Sequence, residues 1–134
     1  MKNEQNNSME LGKRMAQILF IDDDTTTLSL MEQIALILGH RAILCPAAKN
    51  ALKMALEHKP DLIMLDINMQ DLNGFEIVKK LRNNKKTSQT PVIIISASEP
   101  DFESSKAIKA GANGFLPKPL TIKNLENTIT KFNI

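Results

Sequence analysis

What this sequence has little of narrows the field before any motif is considered. It holds one cysteine, Cys45, so no internal disulfide can form, and a lone thiol fits a reducing, cytoplasmic setting. No apolar stretch approaches the ~20 residues needed to span a bilayer, so no membrane insertion is expected. The opening MKNEQNNSMELGKR has no hydrophobic signal core. Neither sign of charge prevails: 17 basic against 15 acidic side chains leave +2, which demands neither nucleic acid nor a membrane as partner. Aromatics are only 4% of the chain, and none interleaves with the basic run KKLRNNKK at 79–86. That run reads as a solvated helix end and loop, with steering of an acidic partner as its functional alternative; no direct nucleic-acid contact is expected.

What is present points to one folded unit. With 134 residues and 43% hydrophobic composition, the chain can bury one real core. Residues 1–15 read as a flexible polar tail ahead of a domain over 16–134, and Met1 with that tail favours a stand-alone protein over a piece of a larger regulator. Short apolar runs at 18–21, 62–65, 92–95 and 115–116, with a weaker one at 41–45, have the length and β-branching of strands buried on both faces. Between them apolar residues recur at steps of three and four. Leu28, Met31, Ile34, Ala35 and Leu38 mark the first helix, stopped at Gly39, and Leu52, Ala55 and Leu56 a second, ended before Pro60. Phe75, Val78 and Leu81 mark the third, Pro100 opens the fourth, and Ile122, Leu125, Ile129 and Phe132 mark the fifth. Strand and helix thus alternate five times, the pattern of an α/β doubly wound parallel sheet. Methionines 31, 54, 64 and 69 read as core filler, and His40 and His58 as ordinary surface or helix-end residues.

In a parallel sheet every strand ends on the same edge, and ligands bind there. The first strand ends in Asp22-Asp23-Asp24, the third in Asp66, the fourth in Ser96 and the short fifth in Pro117-Lys118-Pro119. Adjacent carboxylates repel by roughly 1 kcal/mol per pair even in water. Asp22, Asp23 and Asp66 together bring a charge that a hard divalent cation offsets, and oxygen-only ligation is the Mg²⁺ pattern, with Mn²⁺ as the alternative. Neither histidine nor Cys45 falls at these ends, which disfavours zinc. A cation beside Lys118 attracts phosphoryl oxygens, and a carboxylate placed in line can take the phosphorus as an acyl phosphate. Asp66, alone at a central strand end, suits the nucleophile; Asp22 and Asp23 suit the cation; Ser96 and Lys118 suit the phosphoryl oxygens. Asp24 suits a helix start.

Four segments, FIDDD, LIMLDINMQDLNGFE, PVIIISAS and GANGFLPKP, stand in family-like order and spacing. Over roughly 16–132 the chain resembles the receiver domain of two-component response regulators, in particular single-domain chemotaxis-type regulators. The resemblance implies a flavodoxin-like five-stranded sheet in order 2-1-3-4-5 with five helices. It implies that Asp66 is the phosphoacceptor for a sensor histidine kinase or histidine phosphotransfer protein, and that Asp22, Asp23, Asp66 and the backbone carbonyl of Asn68 ligate Mg²⁺. Ser96 and Lys118 map to the phosphoryl-sensing pair, Ser96 and Phe115 to the switch, and Asn68 and Ser98 to the positions flanking the phosphoryl group. Lys118-Pro119 corresponds to a peptide bond that is often cis in the family. Output is expected through the fourth helix, fifth strand and fifth helix onto a downstream protein target. No enzyme activity is expected beyond the domain's own phosphorylation and dephosphorylation.

This chain departs from the family pattern at three places. Gln70 stands where many members have proline, which frees the loop after Asp66; Ser96 replaces the common threonine; Phe115 lacks the hydroxyl of a tyrosine. Two rival readings fit part of the pattern. Asp22-Asp23-Asp24-Thr25-Thr26 also fits the Asp-x-Asp-x-Thr signature of haloacid-dehalogenase-type phosphatases, with Asp22 and Asp24 catalytic. That reading lacks an acidic pair after Lys118, where only Glu126 follows, and leaves Asp66 idle. A non-phosphorylated docking pseudo-receiver would keep the fold, yet such domains usually lose a charged residue and none is missing here.

Overall fold

Apolar runs too short for helices pair side by side because only a sheet satisfies their backbone polar groups when both faces are buried. In the computed structural model the described residues are 14–69, 73–97 and 100–134, and of 100–104 the backbone alone. Among them five strands alternate with five helices: β1 (Gln17–Ile21), α1 (Thr25–Ile37), β2 (Arg41–Cys45), α2 (Ala51–His58), β3 (Leu62–Asp66), α3 (Gly74–Arg82), β4 (Val92–Ser96), α4 (Pro100–Ala110), β5 (Gly114–Pro117) and α5 (Ile122–Lys131). The strands are all parallel, in order β2-β1-β3-β4-β5. The fold is the flavodoxin-like one expected.

Alternation within each buried strand feeds two separate cores. Leu19, Ile21, Ile63, Leu65, Val92 and Ile94 pack with residues of α2, α3 and α4. Ile18, Phe20, Leu62, Met64, Ile93 and Ile95 face the opposite way and pack with α1 and α5. β3 and β4 are buried along their whole length, whereas the edge strands β2 and β5 are partly exposed, which is why their runs look weaker in the sequence. Met31, Met64 and Met69 are buried in these cores, and Met54 is packed against one of them.

Element ends follow local chemistry. The Asp24 carboxylate accepts from the Thr26 N–H at 3.1 Å and the Thr27 hydroxyl at 2.8 Å, capping α1. The Thr27 hydroxyl, and next the Thr26 N–H, hold this carboxyl below its ordinary range. Gly39 ends α1 with φ +83°, and Lys59 ends α2 at φ 49° just before Pro60. Cys45 is fully buried and burial pushes its thiol up, so it behaves as a small core residue.

One expectation needs correction. Within 79–86, Arg82 is not a solvated residue. Its Nε donates to Gly111 O at 2.8 Å, its Nη1 to Thr90 O at 2.8 Å and its Nη2 to Asn113 Oδ1 at 2.7 Å. Nη1 also reaches Thr87 O and Ser88 O. The planar fork can serve carbonyls from several loops at once, which a surface lysine cannot. Burial pulls its pKa down. His40 stands just past the end of α1, and its Nδ1 accepts the Ala16 N–H at 3.0 Å, which ties the start of β1 to the turn before β2.

Candidate functional site

Parallel pairing aligns the ends of β1, β3, β4 and β5, so Asp22, Asp66, Ser96 and Lys118 arrive at one rim. Asp22 follows β1 and is 0% exposed; Asp66 closes β3 and is 4% exposed; Ser96 closes β4 at 0%. The Lys118 N–H donates to Ser96 O at 2.9 Å, which fixes the chain after β5 against the end of β4, and the Lys118-Pro119 bond is cis. From that anchor the Lys118 ammonium sits 3.0 Å from Asp22 Oδ2 and 3.4 Å from Asp66 Oδ2. Asp23 is exposed at the mouth. Among the described residues, Asp22, Asp23 and Asp66 form a group of carboxylates whose oxygens lie within 4.8 Å of one another.

Each acid is held by its own backbone neighbourhood. Asp22 Oδ1 accepts the Asp24 N–H at 2.9 Å, and Asp66 Oδ1 accepts the Asn68 N–H at 3.2 Å. Asp22 Oδ2 is buried and faces the Lys118 ammonium. Burial first, and then the charge of Asp66, hold the Asp22 carboxyl above its ordinary range against the Asp24 N–H and Lys118. For Lys118, burial pulls down, but hydrogen bonding and charge from Asp22, then Asp66, outweigh it and its pKa is raised. Three clustered carboxylates facing one ammonium leave negative charge uncompensated, which costs free energy unless a further cation or a proton meets it. The all-oxygen donor set fits a hard divalent cation.

The approach of α3 to the end of β3 depends on Gly74. A Cβ on Gly74 would lie 2.7 Å from Ile67 Cα and 3.0 Å from Asp66 O. The first turn of α3 therefore sits against the backbone that carries Asp66. Asn73 caps that turn by accepting the Phe75 N–H at 2.8 Å, and Asn68 forms an antiparallel bridge with Asn73. Asn68 itself is exposed. Phe115, in β5, is half-buried against the core on the α2–α4 side. Ser98 and Gln70 lie outside the described residues.

Comparison with known proteins agrees with this geometry. The sequence profile of the response regulator receiver domain matches residues 18–130. The chain belongs to the response-regulator receiver family. This receiver domain is 30% identical over 115 residues to the protein PilH of Pseudomonas aeruginosa, covering 86% of this chain and 95% of that one. It is equally identical over 115 residues to the transcriptional regulatory protein AfsQ1 of Streptomyces coelicolor, of which it spans only half. Among solved structures, the chemotaxis protein CheY4 of Vibrio cholerae superposes with a TM-score of 0.82 at 25% identity, over 89% of this chain and 99% of that one. The haloacid-dehalogenase alternative falls with this assignment. Asp24, which that chemistry would engage, is occupied as the cap of α1. Among the described residues, no helix is long and apolar enough to cross a membrane.

Proposed function

We propose that this receiver domain, over residues 16–134, takes a phosphoryl group onto Asp66 from a phosphohistidine of a cytoplasmic sensor kinase or phosphotransfer protein. The observation that carries this reading is Asp66 at the end of the central strand, with its carboxylate 3.4 Å from the Lys118 ammonium and beside two further acids. An Asp66 oxygen attacks phosphorus; the O–P bond forms as the P–N bond breaks. The imidazole, protonated on its other nitrogen, keeps the electron pair and leaves neutral. Lys118 then pairs with a phosphoryl oxygen, and the Ser96 hydroxyl donates to another. Asp22, Asp23, Asp66 and the backbone carbonyl of Asn68 would hold Mg²⁺, or alternatively Mn²⁺, which supplies positive charge to the phosphoryl oxygens when bound.

Incubation with acetyl phosphate and Mg²⁺, followed by intact mass, is expected to add one phosphoryl group that is lost in base and does not form in EDTA. Asp66→Ala is expected to show none. Ordinary labelling of that variant would sink the assignment.

Signalling follows from the new acceptor oxygens. They draw Ser96 toward Asp66, Phe115 turns into the space vacated, and α4, β5 and α5 present a different face to a downstream protein. Asn68 and Ser98 flank the phosphoryl group and set its lifetime. Amide exchange across 97–120, with and without a phosphoryl mimic, is expected to change; identical protection in both states would rule this route out.

A further inference from the structure

The α2–α3 side of the molecule carries a groove of about 550 Å³ that takes no part in the acidic rim. Its apolar lining includes Leu52 and Leu56 of α2, both half-buried, and the buried Ile77 of α3. Leu52 and Leu56 stand four apart on one stripe of α2, so they continue each other along the groove. Lys49 and Lys53, also four apart, bring exposed ammonium groups from that side, and Lys80 brings one from α3. Glu57 is the one acid of the lining. None of the three lysines has an ion pair among the described residues. By contrast, the larger groove of about 640 Å³ near the chain's end mixes Arg14 and His40 with Glu126, so its charge selects no partner.

Apolar floor and cationic margin together specify the occupant. A small anion would satisfy the lysines and leave the leucines wet. Nucleic acid would find no aromatic among the lining residues on which to stack. α2 is eight residues long, about 12 Å, or two helical turns, which is the length a third helix lying alongside would cover. We propose that the α2–α3 groove docks an acidic amphipathic helix of a partner protein. Its apolar ridge lies on Leu52, Leu56 and Ile77, and its carboxylates face Lys49, Lys53 and Lys80. This surface lies beyond the output face proposed above and does not depend on phosphorylation of Asp66.

The test uses the full chain, ¹⁵N-labelled, and a stapled helical peptide of about 14 residues. The peptide carries leucines four apart, flanked by glutamates; a second peptide has lysines in place of the glutamates. The acidic peptide is expected to shift amides of 49–57 and 77–80, and to bind several-fold more weakly as salt rises. Lys53→Glu/Lys80→Glu is expected to weaken it about tenfold while keeping a folded spectrum, and to gain binding of the lysine peptide. Shifts confined to another face, equal binding by the charge-reversed variant, or no binding would overturn the proposal. So would the same shifts produced by phosphatidylglycerol vesicles but not by the peptide.

Discussion

Gly74→Ala is expected to destabilise the fold and to displace Asp66, the proposed phosphoacceptor. A methyl there meets Ile67 Cα at 2.7 Å and Asp66 O at 3.0 Å, and both atoms are backbone, so neither can rotate aside. Either the first turn of α3 lifts, losing the Phe75 N–H bond to Asn73, or the end of β3 is pushed back and carries the Asp66 carboxylate with it. Overpacking of this kind costs about 2 kcal/mol, roughly 6 °C in Tm for a chain of this size. Labelling by acetyl phosphate should fall as well, because the displaced backbone is the one that aims Asp66. Gly39→Ala supplies the contrast. Its φ of +83° strains an alanine, but no atom lies within 4 Å of the added methyl. That change is expected to cost about 1 kcal/mol and to leave labelling intact. If both variants label normally, the close approach at Gly74 has no bearing on the acceptor.

Lys118→Met separates the two jobs of the ammonium. It removes the cation 3.0 Å from a carboxylate that is 0% exposed, and the methionine chain cannot replace it. Breaking a buried pair costs on the order of 3 kcal/mol or more; Lys118 keeps about 22% of its side chain in water, which places this site at the lower end. The loss has a pH signature. Asp22 is already held above its ordinary range by burial, so the native state binds the proton more tightly than the unfolded chain does. Between the unfolded value and the raised native one, stability therefore rises as pH falls. Without Lys118 the native value rises further, and the deficit of the metal-free variant should be largest at neutral pH and shrink at a mildly acidic one. Saturating Mg²⁺ should recover part of that deficit by binding the folded state alone, while phosphoryl labelling stays low. Thermal melts at both pH values, with and without Mg²⁺, check this. A deficit equal under all four conditions would mean that Lys118 supports the fold without answering to the charge of Asp22.

Much of the architecture was legible because its causes are local. Asp24 before three threonines announces the start of α1, and Gly39 its stop. The solid runs of β3 and β4 announce burial on both faces. The acidic and basic strand ends could be assembled into one rim because parallel topology alone brings them together. The rest depends on partners without a side-chain signature. Arg82 binds carbonyls of Thr90, just beyond this run, and of Gly111, 29 positions on, so nothing in KKLRNNKK distinguishes it from its lysine neighbours. Gly74 reads as a helix start, whereas its clearance against Ile67 is a property of two elements in contact. His40 likewise accepts from a backbone N–H 24 positions earlier.

The grip of Arg82 also bears on how α4 can move. By holding Gly111 O at 2.8 Å, it pins the end of the helix farthest from the acidic rim. An 11-residue helix is about 16 Å long. With one end clamped, rearrangement near Ser96 becomes a tilt about a fulcrum rather than a slide, and a swing of some 10° would carry the free end about 3 Å over that length. In the switch proposed above the near end would sweep while Gly111 stayed put, and a partner that reads the top of α4 would sense far more of the change than one seated at its base.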